Sequence, residues 1–272
     1  MMIWRLINYS RHDAFENMAI DEAIFRETIK NKKQPTIRFY GWQPAAVSIG
    51  YFQDPRKELN QELCSSLGVD IVRRLTGGKA VFHDDEITYC VAAGAGEKSF
   101  PADISGTYKA VSDCLICGLS YLGIKANIAS DCLRMKDADL KSCCFSATSR
   151  NELLVAGRKI CGSAQMRTKD GFLQHGSLLL TFDPVKALSV ILPSSTSEHA
   201  EKLRKTVAAI NEITVNPIET SDICHALKKG FAEVLGIEIA EESLTSSEIT
   251  LKNELIKKYH DLNWKTKRSK TF

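Results

Sequence analysis

Nowhere does the chain hold the roughly eighteen consecutive apolar residues that a membrane-crossing helix needs. Its opening stretch, Met1 to Tyr9, is broken by Arg5 and lacks the apolar region and small-residue cleavage site of an export signal. A soluble, unexported, cytoplasmic protein without a membrane partner is the expectation. Proline is scarce, with 7 in 272 residues, and the 16 glycines show no repeat, which excludes collagen-like and low-complexity chains. Charge of one sign is not in excess either: a formal balance of +3 is too mild for the concentrated basic stripe of a nucleic-acid binder. The 9 cysteines are odd in number and irregularly spaced, so without an export signal they read as reduced thiols rather than a disulfide framework. Cys114-Leu115-Ile116-Cys117 has the spacing of half a metal site, but no second pair follows, so it reads as packing on a helix face and no metal is expected.

What remains is an average globular composition, 44% hydrophobic and 25% charged, in a chain long enough for one large core. Asp13 and Glu16 have capping-box spacing ahead of Phe15, Met18, Ala19, Ala23 and Ile24, which predicts a helix running to Asn31. Ile37 to Tyr40 and Val47 to Ile49 read as neighbouring strands, and Asp54-Pro55 opens one helix that stops at Gly68. Val69 to Arg73 is extended; Ala80 to His83 and Ile87 to Ala92 flank Asp84-Asp85-Glu86 as a hairpin. A helix over Ile104 to Leu122 ends at Gly123. Strands then cover Leu153 to Ala156, Lys159 to Arg167 and Phe172 to Leu180, separated by Gly157-Arg158 and by Lys169-Asp170-Gly171. Helices begin near Asp183-Pro184, Ser221 and Ser247. The sum is an α+β protein of mixed sheets flanked by helices, a single domain over residues 1–272.

Several residues carry chemistry in principle. Arg73-Arg74-Leu75-Thr76-Gly77-Gly78-Lys79 joins a strand to the segment ending at His83, and its glycines allow close backbone approach to a ligand; a plain turn with solvated arginines remains the alternative. His83 fits a structural or a catalytic histidine. Cys143-Cys144-Phe145 stands between the regular elements, where a cation lowers a thiol's pKa, against the commoner fate of a packed, inert thiol. Lys159, at the start of a strand, is either tuned by burial or an exposed turn lysine. Gln174-His175-Gly176-Ser177 places a glycine within a strand, a sign of close approach.

Asn17-Met18-Ala19-Ile20-Asp21-Glu22-Ala23, the Arg73 to His83 segment, Gly157-Arg158-Lys159 through Gly162-Ser163-Ala164-Gln165, and Gln174 to Ser177 occur in the order seen in the lipoate and biotin protein ligase superfamily, which the chain resembles over nearly its whole length. The tail from Lys257-Lys258-Tyr259 to Trp264 fits the same resemblance. It implies a biotin/lipoate protein ligase-like catalytic domain with its core at roughly residues 31–240 and no C-terminal accessory domain. Within the superfamily, ATP-dependent lipoate-protein ligases generally need no cysteine nucleophile, and octanoyl amidotransferases between carrier proteins do not typically carry the histidine after the double glycine. Cysteine-dependent octanoyltransferases have a Cys-Phe pair ahead of the Gly-Arg-Lys turn, which Cys144-Phe145 matches. Cys143 replaces a small residue, and the match to Phe145 selects Cys144 as the nucleophile.

The resemblance implies transfer of octanoyl from octanoyl-acyl carrier protein, through a Cys144 thioester, to a lysine of an apo lipoyl domain or the glycine cleavage H protein, in lipoate assembly. Cys144 and Lys159 are the implied catalytic pair; Arg74, Gly77, Gly78, His83, Gly162, Ser163, His175 and Gly176 the implied substrate-binding set. Lys159 keeps the thiol ionised and is a candidate proton acceptor, and backbone amides near Lys159 to Gly162 or at Gly77-Gly78 hold the oxyanion. Thioester energy drives the reaction, so neither ATP nor another cofactor is implied. Arg73, Arg74, Lys79, Arg158 and Lys169 are candidates for steering acidic carriers. A non-catalytic lipoyl-carrier binding protein on the same fold is the alternative from another class, against which the coexistence of Cys144, Lys159 and His83 speaks.

Overall fold

The computed structural model describes residues 3–129, 152–191 and 196–266. Strand β1 (Ile3–His12) leads into helix α1 (Ala14–Asn31), followed by β2 (Thr36–Trp42) and β3 (Ala46–Ile49). Two short helices, α2 (Pro55–Glu58) and α3 (Gln61–Ser66), precede β4 (Asp70–Arg73), β5 (Val81–His83) and β6 (Glu86–Gly94). Helix α4 (Ile104–Ser120) and β7 (Ala126–Ile128) complete the first half. The second half holds β8 (Leu153–Val155), β9 (Arg158–Arg167), β10 (Gly171–Leu179), α5 (Pro184–Ile191), α6 (Ser197–Thr206) and α7 (Ile210–Ile213). It closes with α8 (Thr220–Leu235), β11 (Glu238–Glu241), α9 (Ser246–His260) and α10 (Leu262–Thr266).

Eight strands form a mixed sheet in the order β11-β1-β2-β6-β10-β9-β8-β7, and β4-β3-β5 form a second, smaller sheet. The α+β expectation holds. Alternation along the strands divides the large sheet's faces: Ile37 and Phe39 with Ile87, Tyr89 and Val91 pack under α4 and α8. Tyr40 and Trp42 with Cys90 and Ala92 pack under α1 and α9. The small sheet buries Val47, Ile49 and Val81 against α3, α5 and α6. Helices α4 and α8 meet backbone to backbone, since a Cβ on Gly230 would fall 2.3 Å from the Cys114 carbonyl oxygen. Cys114 is buried in that contact and burial pushes its thiol up, in keeping with packing.

Helix α1 starts where the sequence places it, with the Asp13 carboxylate accepting from the Glu16 amide at 2.8 Å. The reciprocal half of the capping box is not made, because the Glu16 carboxylate turns to Lys252 and His12. Two expected pairings are corrected. β5 and β6 are not a hairpin: β5 pairs with β3, whereas β6 lies between β2 and β10. Nearly every residue of β6 is buried, so it requires a partner on each edge and a helix on each face, which a three-residue strand cannot supply. β2 and β3, adjacent in sequence, likewise enter different sheets. The helix expected from Asp54 to Gly68 is two, because Asn60 leaves helical geometry and caps the Leu63 amide at 3.1 Å. β1 escapes sequence reading: Trp4, Arg5, Leu6 and Ile7 are buried in succession, the pattern of a strand covered on both faces rather than an alternating one.

Arg5 reaches Glu248 with two hydrogen bonds, at 2.8 and 2.5 Å, and both side chains are buried. Burial works against the Glu248 carboxylate, but Arg5 and Thr245 outweigh it and hold its pKa below the ordinary value. Glu248→Ala strands the Arg5 charge and is expected to cost about 3–5 kcal/mol in urea denaturation. Because the folded pKa is depressed, this pair's contribution is present at neutral pH and drains away as the pH falls below the usual glutamate range. A loss no larger than that of an exposed pair, about 1 kcal/mol or less, would overturn this reading.

Candidate active site

A half-open pocket lies between the two sheets. Its wall takes Met18 from α1, Tyr40 and Trp42 from β2, Ser48 from β3, Val81 and His83 from β5, and Thr88 from β6. Arg74 and Gly78 enter from the loop after β4, Gly162 to Ala164 from β9, and His175 to Ser177 from β10. Seven of the expected substrate-binding residues therefore meet at one place: Arg74, Gly78, His83, Gly162, Ser163, His175 and Gly176. Gly77 sits beside them in the loop, its carbonyl accepting from Arg74 at 2.7 Å. Lys159 is not in this wall but stands on the same strand as Ser163, and is buried against Glu152 with Nζ to Oε1 at 2.6 Å. Cys144, with Cys143 and Phe145, lies outside the described residues.

Arg74 shapes the double-glycine loop from within. Its guanidinium donates to the carbonyls of Gly77, Lys79 and Ser48 at 2.7, 2.8 and 2.9 Å. Gly78 has φ +93°, and a Cβ on Gly50 would fall 2.0 Å from the Gly78 carbonyl oxygen. The loop thus lies directly on the end of β3. Arg73 is buried too, donating to the carbonyls of Gly50, Tyr51, Trp264 and Lys265. The expectation that Arg73 and Arg74 steer partners from the surface is corrected: both guanidinium groups are turned inward onto backbone carbonyls. Lys169 is exposed, and Lys79 and Arg158 are partly so.

Two histidines stand in the wall with assigned partners. Ser48 Oγ accepts from Arg74 at 3.1 Å and lies 2.7 Å from His83 Nε2. His83 Nδ1–H then donates to Glu86 Oε1 at 2.8 Å, and the ring stacks on Trp42 at 4.0 Å. His175 Nε2 accepts from Thr76 at 2.7 Å, and its Nδ1 faces Asp21 Oδ2 at 3.5 Å. Burial lowers the His175 pKa more than Asp21 raises it, so the ring is neutral at pH 7. Asp21 is opposed by its own burial, yet Arg38 at 2.7 Å and His175 hold it below the ordinary aspartate value. Ser163 is fixed by Tyr89, whose hydroxyl is 2.6 Å from Ser163 Oγ and accepts from Gln174 at 3.1 Å.

Glu86, Ser48, Trp42 and Glu152 are site residues that sequence reading missed, since none stands in a motif-like string, whereas Ser177 stands in the Gln174 to Ser177 string. Asp21 had a usable signal. Its i, i+4 spacing from Asn17 puts both on one helix face, and both bind Arg38.

The model of the lipoyl protein ligase A/B catalytic domain matches residues 13–232. The chain belongs to this family. Among its relatives are proteins named Octanoyltransferase LipM: that of Brevibacillus brevis is 38% identical, covering 97% of this chain and 99% of its own. The Bacillus subtilis protein of the same name is 37% identical over 97% of this chain and 98% of its own. In fold, a chain from the structure of a bi-partite lipoate protein ligase and its E2 lipoyl domain from Thermoplasma acidophilum superposes with TM-score 0.83 at 24% identity over 100% of this chain and 99% of its own. A putative lipoate protein ligase from the same organism, with bound lipoic acid, gives TM-score 0.79 at 25% identity over 98% of this chain and 100% of its own.

Gly176 has no room for a side chain: a Cβ would lie 2.6 Å from Tyr89 Cε1 and 2.7 Å from both Gly162 O and Ser163 Oγ. Gly176→Ala is expected to cost about 1–3 kcal/mol in denaturant unfolding by overpacking; an unchanged midpoint would show the wall to be loose. The His175 ring should titrate below about 6.5 in NMR of its Cε1–H. Since the unfolded chain then takes up that proton first, stability falls as the pH drops from about 6.5 toward the folded value. A His175 midpoint above 6.5 would contradict the arrangement with Thr76 and Asp21.

Proposed function

We propose that this chain transfers octanoyl to a lysine of a lipoyl carrier protein in lipoate biosynthesis. What carries the reading is the run of relatives named Octanoyltransferase LipM, 36–38% identical over at least 97% of the chain. The pocket supports it. Met18, Tyr40, Trp42, Val81 and Ala164 give it an apolar wall, and its polar groups are engaged with one another, as an alkyl chain requires. At about 0.8 kcal/mol per buried methylene, an octanoyl chain gains roughly 3 kcal/mol over a four-carbon one, enough to select by length.

In this reading Cys144 takes octanoyl from octanoyl-acyl carrier protein as a thioester, and the ε-amino group of a carrier lysine, as on an apo lipoyl domain or the glycine cleavage H protein, displaces it as an amide. Lys159 acts as the cation beside the thiolate. Thioester energy suffices, so ATP has no part. A second reading, ATP-dependent ligation, is favoured by the fold shared with lipoate-protein ligase A bound with ATP, TM-score 0.80.

Intact-mass spectrometry after incubation with octanoyl-acyl carrier protein, without ATP, separates the two. An octanoyl adduct in wild type and Cys143→Ala that is missing from Cys144→Ala is the expected result. No adduct, with lipoylation of an apo carrier only after ATP and free lipoate are added, would establish the ligase reading instead.

A further inference from the structure

The buried Arg73 guanidinium joins two segments that are far apart in sequence. Its Nε and Nη2 donate to the carbonyls of Trp264 and Lys265 at 3.0 and 2.7 Å, in the last turn of α10, where carbonyls have no partner within the helix. Its Nη1 donates to the carbonyls of Gly50 and Tyr51 at 3.1 and 2.7 Å, in the turn after β3. The Trp264 indole closes the link by donating to the Arg73 carbonyl at 3.1 Å. Trp264 is itself gripped. Lys258 Nζ lies 3.9 Å from its ring centroid and donates to Glu22 of α1 at 2.7 Å, while the rings of Tyr259 and Tyr51 stand 5.9 and 6.0 Å away.

From this clamp the double-glycine loop departs at the next residue. The Arg74 amide donates to the Ile49 carbonyl at 3.1 Å, the Tyr51 amide donates to the Thr76 carbonyl at 2.8 Å, and Gly50 lies so close to the Gly78 carbonyl that a Cβ has no room. Gly50 and Tyr51 are the two residues whose carbonyls Arg73 holds. One turn is thus gripped by Arg73 on one side and touches the loop on the other, and that loop brings Arg74 and Gly78 to the pocket wall. Contacts packed this closely pass a displacement on rather than absorb it.

Resting on the transferase reading above for the choice of ligand, we propose that Trp264 and Arg73 are positioning residues: through them the C-terminal tail, which does not line the pocket, sets the place of the Gly77-Gly78 loop and with it the affinity for a medium-chain acyl group. A tail that served stability alone would act differently. Its loosening would be felt across the whole fold, whereas a clamp on one turn is felt first at the loop that the turn touches.

The test joins amide hydrogen exchange by NMR with titration of octanoate, followed on the 13C-methyl signal of Met18 in the pocket wall. Trp264→Phe keeps an aromatic ring beside Lys258 and removes the indole donor. It is expected to speed exchange of the Tyr51 and Arg74 amides by about three- to tenfold, the counterpart of one lost buried hydrogen bond, with the β2–β6 ladder unchanged. Octanoate binding should weaken at least about threefold. Trp264→Ala and Arg73→Lys should move both readouts further in the same direction; should either not fold, Trp264→Phe decides. Unmoved Tyr51 and Arg74 amides in Trp264→Phe, or equal acceleration in the β2–β6 ladder, overturn the proposal, as does unchanged octanoate affinity beside a loosened loop. A wild type that neither binds octanoate nor forms an octanoyl adduct, with Trp264→Phe still loosening Tyr51 and Arg74 selectively, sustains the tail's hold on the loop and removes the transferase reading alone.

Discussion

One carboxylate oxygen joins the two sheets. Glu86 Oε1 accepts from Trp42 Nε1 at 3.1 Å, Thr88 Oγ1 at 2.5 Å, Ser177 Oγ at 2.8 Å and His83 Nδ1 at 2.8 Å. Three of these donors belong to β2, β6 and β10 of the large sheet, and the fourth to β5 of the small one. A fully buried carboxylate is tolerated only when hydrogen bonds replace its hydration. Among the described residues Oε2 has no partner, so the compensation falls on Oε1 alone. The distance between the sheets, and hence the width of the pocket, follows from keeping that oxygen saturated.

The same economy governs the other side of the pocket. Asp21 on α1 takes Arg38 at 2.7 Å and the Tyr40 hydroxyl at 2.8 Å, both from β2, and faces His175 on β10. Asp21 and Arg38 are therefore paired within one hydrogen bond, the Arg74 charge is solvated by backbone carbonyls, and His175 reaches the interior in its uncharged form. A chain containing this many buried arginines and carboxylates can still offer an apolar cavity, because the charges are spent on each other and on backbone carbonyls. That is the electrostatic condition for accepting an alkyl chain with no charge of its own.

Legibility from sequence followed the physics of each signal. Helices α1, α4, α8 and α9 and the β8–β9–β10 meander were read correctly because cap residues, helical periodicity and turn glycines are local. Strand pairing is not local. The Asp84-Asp85 link looks like a hairpin turn, yet β6 was claimed by β2 and β10, and the reason, burial along almost its whole length, concerns tertiary context. The candidate residues were legible as strings: Gly77-Gly78, His83, Gly162-Ser163 and His175-Gly176 converge on one pocket or its rim. Their supports were not, since Ser48, Glu86 and Glu152 are single polar residues whose meaning comes from partners that no short string contains.

Arg73 and Arg74 show how far such a reading goes wrong when neighbours are treated as a unit. Successive residues leaving a strand face opposite ways, and these two arginines hold different segments beside the end of β3. Arg73 holds the carbonyls of Trp264 and Lys265, while the Trp264 indole donates back to the Arg73 carbonyl at 3.1 Å. That tail is tied in turn to α1, where Glu22 accepts from Lys258 and Tyr259. Arg74 holds the glycine loop. The C-terminal helices and the pocket rim are thus joined through two adjacent backbone positions, which gives the tail's likeness to the family a physical reason: it anchors the strand end from which the binding loop departs.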